Sequence, residues 1–459
     1  MTVTPLRVAI IGSGPSGFYA AEHLLKQPPE GGVEIDLFDR LPTPYGLVRG
    51  GVAPDHQKIK SVTRIYDKLA ANPALRFFGH VLIGRDLTRD ELLQHYHAVI
   101  YAVGAQSDRA LGVPGEHLDG SHAATEFVGW YNGHPDYRDR HFDLSRPSVA
   151  VIGMGNVAID VVRILARTPE ELRGTDIAGH ALEALRHSGV RDIYMIGRRG
   201  PVQAAFTNPE LKELGELNGA DVDVRAEELA LDAASQATLA IGEDRATEKN
   251  LETLRLLAAK PKRGKARTVH LRFLRSPLEL IGSGRVERML LGENRLVMGQ
   301  HGEVKAEATG QTEMLEAGLV FRSVGYLGIG VQGAPFDPKR GVIPNEEGRV
   351  IRAPGIVAPG EYVVGWIKRG PSGVIGTNKP DAVESSDRLL ADAAAGALNT
   401  PLAPERAAVE RLLASRGVRV VDWAGWLRLD AMEKELGAAQ GRPRLKFTRI
   451  EEMLAALDR

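Results

Sequence analysis

The first forty residues constrain the fold most. The apolar run Arg7-Val8-Ala9-Ile10-Ile11 passes straight into Gly12-Ser13-Gly14-Pro15-Ser16-Gly17. A helix-forming stretch follows over residues 18–25, and a second apolar strand, Val33 to Phe38, ends in Asp39. Strand, glycine turn, helix, strand and acid, with the acid about twenty residues past the glycines, is the pattern of a unit that holds a dinucleotide. Gly12 permits the tight turn, Gly14 lets a pyrophosphate come against the backbone, and Gly17 lets helix and strand pack closely. Ser13 and Pro15 belong to the same turn. The free N–H groups and positive dipole end of the helix attract the phosphates, and Asp39 accepts hydrogen bonds from an adenosine ribose. A glycine triplet alone would fit an ordinary tight turn. Its flanking strand, helix and acid point to a nucleotide.

A second unit of this kind begins at Ser148-Val149-Ala150-Val151-Ile152, followed by Gly153-Met154-Gly155-Asn156-Val157-Ala158. Ala158 stands where a third glycine is usual, and the position needs only a small side chain. The next strand, Asp192 to Ile196, comes late, so the crossover carries an insertion. It ends in Gly197-Arg198-Arg199-Gly200, with no acid. The two endings discriminate. Asp39 suits a free ribose diol, as in FAD or NAD, and would repel a 2′-phosphate; Arg198 and Arg199 suit the 2′-phosphate of NADP(H). A solvated basic turn is the plain alternative for the arginine pair.

At 459 residues the chain is long enough for two or three domains. Its formal net charge of -1 argues against a nucleic-acid binder driven by global charge. No apolar run is long enough to span a bilayer, and too few residues precede the first strand for a targeting peptide; a cytoplasmic protein without membrane insertion is expected. There is no cysteine. A redox dithiol, a disulfide, thiolate zinc and a cysteine-ligated iron–sulfur cluster are therefore excluded from this chain, and no metal site is expected. Electrons, if it moves any, travel on organic cofactors or partner proteins.

Between the two units, residues 40–56 are dense in Pro and Gly and predict a long ordered loop. A helix is expected over 57–71 and a strand over 98–103, closed by Gly104. Polar helical sequence runs over 225–264. Alternating strand character follows over 267–304, with turns at Gly282, Gly284, Gly292 and Gly302. Further strands are expected at 319–326 and 361–366. Gly370-Pro371-Ser372-Gly373-Val374-Ile375-Gly376-Thr377-Asn378 then leads into a helix toward Ala395. The N-terminus of that helix can stabilise negative charge on the pyrimidine edge of a reduced flavin, although a flexible glycine loop fits the local sequence equally. The last sixty residues or so suggest helix, short extended piece and helix.

These motifs together resemble the adrenodoxin-reductase-type ferredoxin–NADP+ reductases, bacterial members in particular. The resemblance rests on Pro42-Thr43-Pro44-Tyr45-Gly46-Leu47-Val48-Arg49 with Gly51 to His56, on Ala102 to Ala105, and on Gly153 to Ala158. It continues through Gly197 to Pro201, Ala205-Phe206-Thr207, and Gly365-Trp366-Ile367-Lys368-Arg369 through Asn378. It implies an α/β fold of two Rossmann-like dinucleotide-binding domains in glutathione-reductase-like topology. An NADP domain, residues 109–324, is inserted in an FAD domain, residues 1–108 and 325–459. It implies FAD and NADP(H) as cofactors, hydride transfer from NADPH to flavin N5, and single-electron transfer from a monomeric enzyme to a ferredoxin-type iron–sulfur protein or a flavodoxin.

On the same resemblance Leu47, Leu82, Gly104, Trp366, Gly373, Val374 and Ile375 help to hold the flavin. Arg109, Asn156, Val157, Arg198, Arg199, Glu210 and Gly373 join Gly153 and Gly155 around NADP. His56 and Glu213 match a polar pair beside the flavin, where a histidine titrating near neutrality can relay a proton; a structural hydrogen-bonding role serves the histidine as well. Asp39 departs from the family, many members of which carry Glu there. A flavin-dependent NADPH oxidase or monooxygenase also combines two dinucleotide folds, but no segment is dedicated to a substrate pocket. An electron-entry subunit like the small subunit of a glutamate synthase would carry cluster cysteines. Ferredoxin-type carriers are usually acidic, so a basic docking face is expected. Lys260-Pro261-Lys262-Arg263-Gly264-Lys265-Ala266-Arg267 is the densest basic run, with a solvated surface as its plainer explanation.

Overall fold

A computed structural model describes residues 4–241, 245–300 and 303–458. The chain divides into two compact units. The first comprises 1–52, 56–107 and 325–459, and the second 53–55 and 108–324.

The first unit is built on a seven-stranded sheet in the order Asn345–Glu346, Arg349–Ala353, Ile356–Val363, Ala98–Tyr101, Leu6–Ile11, Val33–Phe38, Leu75–Phe78. Its last five strands are parallel, as right-handed crossovers require. They are largely apolar because both faces are covered, and their buried charges are paired, Asp36 with Arg7 and Arg76 and Glu361 with Arg89. One face packs on Phe18, Leu24, Tyr66 and Trp426, the other on Leu92, Tyr96, Ile367 and Leu413. Strand Leu6–Ile11 lies at the centre, so its C-terminal end and the glycine turn open at the point where strand order reverses. That is where open α/β sheets bind ligands.

The second unit repeats the plan. Six parallel strands run in the order Ser121–Ala123, Leu319–Arg322, Ser148–Ile152, Asp192–Ile196, Arg267–Arg272, Ala220–Val224. The late arrival of Asp192–Ile196 has its cause in the crossover, which holds helices Asn156–Ala166, Pro169–Arg173 and Gly179–Arg186. A separate antiparallel sheet, Arg275–Ile281, Arg288–Met298 and Val304–Glu316, covers one face through Leu280, Met289 and Leu315. The strand character read over 267–304 is split: Arg267–Arg272 belongs to the parallel sheet, the rest enters this antiparallel one, which continues to Glu316. Gly292, expected as a turn, lies within strand Arg288–Met298, where the register shifts, and the expected turn at Gly302 lies outside the described residues. So do 242–244 of the polar helical stretch, which is otherwise helical over Ala233–Ile241 and Arg245–Ala259.

Several local expectations need correction. The loop at 40–56 contains a helical turn, Leu47–Gly50, and the helix over 57–71 is two pieces, Gln57–Lys60 and Thr63–Ala70. The strand at 319–326 stops at Arg322, because Gly325 takes φ +116° and turns the chain. Strand Ile356–Val363 ends before Trp366, which begins a short helix, Trp366–Arg369. The C-terminal region is three helices, Ala408–Ser415, Trp423–Ala438 and Ile450–Leu457. Among the described residues no helix is long and apolar enough to cross a membrane.

Candidate dinucleotide sites

In the first unit the glycines separate by what they face. Gly12 takes φ +107°, and a Cβ on it would stand 2.5 Å from the Ala102 carbonyl oxygen; one on Gly17 would stand 2.1 Å from the Gly12 carbonyl oxygen. Both are therefore demanded by the fold. Gly14, the N-cap of helix Pro15–Lys26, differs: an added Cβ would meet only Gly46 Cα, at 4.0 Å. Gly104, at φ +71°, faces open space. Pro15 at the start of the helix gives up an N–H that has no partner in a helix.

Asp39 is half-buried and already occupied. It accepts hydrogen bonds from the Ser13 N–H at 3.1 Å, the Ser13 hydroxyl at 2.5 Å and the Leu41 N–H at 3.0 Å. Burial raises its pKa, and the bonds from Ser13 and Leu41 oppose that rise. A carboxylate offers about four acceptor positions, so this shorter acid braces the glycine turn and keeps capacity for a ribose hydroxyl.

The late glycine loop meets this turn. Gly365 sits at φ +75°, where a Cβ would be 2.1 Å from Ser16 Oγ and 3.5 Å from Asn378 Oδ1. Ser16 lies in the first turn of helix Pro15–Lys26, and Asn378 opens helix Asn378–Ala394. Two helix N-termini thus converge on one glycine, whose own N–H donates to Asp381 in the first turn of the second helix. The Arg369 guanidinium holds the loop by donating to Ser372 Oγ at 3.0 Å, Thr377 Oγ1 at 3.3 Å and Asn378 Oδ1 at 2.8 Å. Trp366 stacks on Tyr326 at 5.7 Å and donates its indole N–H to the Ser372 carbonyl at 3.1 Å. In this unit Leu47 is 42% exposed, Leu82 36% and Val374 55%. Gly373 (φ +79°) folds over Thr377, and Ile375 begins a single 3₁₀ turn.

The C-terminal helices, uninterpreted from sequence, fasten the Pro/Gly loop. Tyr45 is held at φ +83°, a strained position for a non-glycine residue. Its hydroxyl donates to Asp67 and accepts from the buried Trp426 indole at 3.1 Å, while its N–H reaches the Ser13 carbonyl at 3.0 Å. Arg49 donates to Glu433 at 2.8 Å and lies over the Trp426 ring. Glu433 is fully buried and also accepts from Arg444 at 3.0 Å and the Phe447 N–H at 2.9 Å. Tyr45, Arg49, Trp426 and Glu433 are the support residues that sequence reasoning missed; Trp423 and Trp426 one helical turn apart were the available signal.

In the second unit Gly153 (φ +144°) would push a Cβ to 2.2 Å from the Ser323 carbonyl oxygen, whereas Gly155, N-cap of helix Asn156–Ala166, faces open space. The division found at Gly12 and Gly14 recurs. Asn156 Oδ1 accepts the Thr207 N–H at 2.8 Å, and the Thr207 hydroxyl donates to Glu210, so these residues form one rim; Val157 is half-buried beside Asn156. Arg198 and Arg199 are both exposed. Their backbone is pinned, Asn294 Nδ2 reaching the Arg198 carbonyl at 2.9 Å and the Leu274 N–H the Arg199 carbonyl at 3.1 Å. Among the described residues neither guanidinium pairs with a carboxylate. Burial and the charge of Arg198 depress the Arg199 pKa from the usual guanidinium value. Two adjacent cations left without an anion make an anion site.

Arg109 is exposed near the start of the second unit. His56 precedes helix Gln57–Lys60 in the first unit, its carbonyl accepting the Lys60 N–H at 3.1 Å. Glu213, in the second, pairs with Arg163 at 2.8 Å. Arg163 is fully buried; burial works against its charge, and Asp160, Asp55 and Glu213 overcome that and keep it protonated. The basic run at 260–267 is largely spent inside its own unit. Lys262 pairs with Asp223 at 2.5 Å, Lys265 Nζ donates to the Ala220 carbonyl at 3.2 Å, and Arg267 donates to the Val190 and Arg167 carbonyls at 3.1 and 3.0 Å.

Residues 6–191 match the family model described as pyridine nucleotide-disulphide oxidoreductase. The chain is 48% identical over 453 residues to the NADPH-ferredoxin reductase FprA of Mycobacterium leprae, covering 97% of each chain. It belongs to the family of NADPH–ferredoxin reductases. The mitochondrial NADPH:adrenodoxin oxidoreductase of Arabidopsis thaliana is 42% identical over 465 residues, covering 98% of this chain and 95% of that one. The structure of Mycobacterium tuberculosis FprA in complex with NADPH superposes with a TM-score of 0.93 at 47% identity, covering 99% of this chain and all of that one. The chain is thus an oxidoreductase with two dinucleotide-binding domains in glutathione-reductase-like topology. Although the family description names disulphides, this oxidoreductase has no cysteine and can carry no dithiol.

Proposed function

We infer that this chain is an NADPH-dependent flavoprotein reductase that passes electrons to a ferredoxin-type iron–sulfur protein, with FAD held by the first unit and NADP(H) by the second. Once bound, the two cofactors supply hydride transfer and its release as single electrons. The protein's own part is to bind, orient and tune. The observation that carries the assignment is the contrast between the strand endings. Asp39 braces the first glycine turn as a carboxylate, which repels a 2′-phosphate, whereas Arg198 and Arg199 stand unpaired behind the second.

The residues fit the groups assigned to them. Gly14 and Gly155 leave room for a pyrophosphate in front of a helix N-terminus, where any larger residue would intrude. The paired N-termini at Gly365 favour negative charge at the site we give to the flavin pyrimidine edge. Leu47, Leu82 and Val374 offer apolar surface to a flat ring, and Gly373 and Ile375 shape the loop beneath it. Asn156, Val157, Glu210 and Arg109 are proposed NADP contacts. His56 and Glu213 are proposed to hold or move a proton without being essential to hydride transfer. A flavodoxin as alternative acceptor and a cytoplasmic monomer complete the reading.

The test is the absorbance spectrum of the purified protein, then anaerobic titration with NADPH and ferredoxin-dependent cytochrome reduction. A flavin spectrum bleached by NADPH, with turnover that requires ferredoxin, is expected. Stoichiometric hydrogen peroxide without need of ferredoxin would make it an oxidase instead.

A further inference from the structure

The helices Gln57–Lys60 and Thr63–Ala70 follow directly on the loop that carries Leu47 and His56. They join without a gap in hydrogen bonding: the Ser61 N–H reaches the Gln57 carbonyl at 3.1 Å, Val62 reaches Ile59 at 3.3 Å, and Ile65 reaches Val62 at 3.0 Å. At about 100° per residue, positions 57, 58, 61, 64, 65 and 68 fall on one side of such a rod. All six are exposed, while Tyr66 is buried against Phe18.

The chemistry of that side is lopsided. It carries Lys58, Arg64 and Lys68, and among the described residues none of these pairs with a carboxylate. Asp67, the sole acid on the two helices, is taken by the Tyr45 hydroxyl. Several other surface cations of this unit are neutralised, Lys26 by Glu22, Arg85 by Asp86, Arg349 by Asp392 and Arg419 by Asp458, whereas Lys339 and Arg340 pair with no carboxylate among the described residues but lie side by side without an apolar centre. Arg64 and Lys68, four residues apart, repel each other. Between the cations Ile65 is 53% exposed, and Ile59 on the adjoining turn is 41% exposed. An apolar centre ringed by uncompensated positive charge is the composition of a docking face for an acidic protein.

We propose that Lys58, Arg64, Ile65 and Lys68 form the docking face for the acidic ferredoxin-type iron–sulfur partner. The proposal rests on the functional reading above and names its partner surface. Charge complementarity selects this occupant, because a second copy of the chain would bring the same cations against each other. The location is serviceable: the face continues the segment assigned to the flavin, so a carrier seated there approaches it along a short stretch of chain.

The triple variant Lys58→Glu, Arg64→Glu, Lys68→Glu tests this with a plant-type or adrenodoxin-like ferredoxin in the cytochrome reduction assay. The KM for ferredoxin should rise at least about tenfold at low salt, and its dependence on ionic strength should flatten or invert. NADPH–ferricyanide turnover, which needs no protein docking, should stay at the parental rate. Ile65→Ser should raise the same KM without changing its salt dependence. Lys339→Glu with Arg340→Glu, elsewhere on the unit, should leave it unchanged. Should the triple variant lose ferricyanide turnover through misfolding, the single variants Lys58→Glu and Lys68→Glu must each show a smaller rise in the same direction. A parental enzyme that reduces ferricyanide but no ferredoxin overturns the functional reading and this proposal with it. A parental enzyme that reduces ferredoxin beside charge-reversed variants with unaltered KM and salt slope overturns the docking face alone.

Discussion

Replacing Asp108 by Asn should change how the second unit's stability depends on pH. Asp108 accepts from the Thr125 hydroxyl, but its other carboxylate oxygen is buried without a hydrogen-bond partner. Burial pushes its pKa from 3.8 to about 7; Arg322 opposes the rise and Glu126 adds to it. The folded state therefore keeps a proton that the unfolded chain loses, and stability declines as pH rises through this window. The shift of about three units corresponds to at most about 4 kcal/mol, of which the part between pH 5 and 7 is about 2.7 kcal/mol. His122 contributes the opposite slope. Burial and Arg322 lower its pKa from 6.5 to about 4, so the stability it costs is regained as pH rises over that range. The parent should then look nearly flat in acid, and the Asp108→Asn variant isolates one term. Thermal scans of parent and variant from pH 5 to 9 should diverge in the variant's favour by roughly 5–11 °C, levelling off above about pH 8. Parallel curves would mean that Asp108 ionises normally in the fold, and would refute the argument from burial.

Four other perturbations follow from the site. Arg198→Ala with Arg199→Ala should raise the KM for NADPH by about 10²–10⁴-fold, at roughly 1.5–3 kcal/mol per lost charge-assisted bond, and leave NADH nearly unaffected; equal losses for both coenzymes would refute the 2′-phosphate assignment. Gly14→Ala should fold and lose flavin, seen as a lowered flavin-to-protein ratio with unchanged far-ultraviolet dichroism, because its Cβ meets nothing nearer than 4.0 Å. Gly17→Ala should fail to accumulate as folded protein, its Cβ falling 2.1 Å from the Gly12 carbonyl oxygen. Glu433→Gln leaves Arg49 and Arg444 without the buried charge between them, and should cost roughly 3–5 kcal/mol in denaturant unfolding.

Much of the fold was legible because its signals are local. A strand that runs into Gly12-Ser13-Gly14 can be recognised from covalent neighbours alone, and so can strand character over 267–304, although its first strand belongs to a different sheet and its last continues to Glu316. Strand order was not. Arg267–Arg272 lies between Asp192–Ile196 and Ala220–Val224, a pairing that depends on which apolar faces meet after long crossovers. Local pattern also overran local geometry at 57–71, where the helical periodicity continues but the α-helix tightens into an i→i+3 turn at Ser61 and Val62.

The candidate site was legible where backbone must be small and obscure where side chains brace it. Gly12, Gly17, Gly153 and Gly365 are dictated by atoms within 2.5 Å of an added Cβ, so their spacing survives as a pattern. Gly14 and Gly155 obey no such constraint from the protein, and the same pattern therefore mixes two reasons for glycine, packing and ligand approach. Only the structure separates them. The bracing by Trp426 and Glu433 left only the spacing of Trp423 and Trp426 as a sign in sequence, because its partners, Tyr45 and Arg49, lie nearly four hundred residues away. Any chemistry at the first glycine turn therefore depends on both ends of the chain. Helix Pro15–Lys26 supplies one positive terminus, helix Asn378–Ala394 the other, and the C-terminal helices hold the loop packed against them. A truncation after Ala395 would leave both glycine units intact while freeing Tyr45 and Arg49, and flavin retention should fall although every recognisable nucleotide motif is still present.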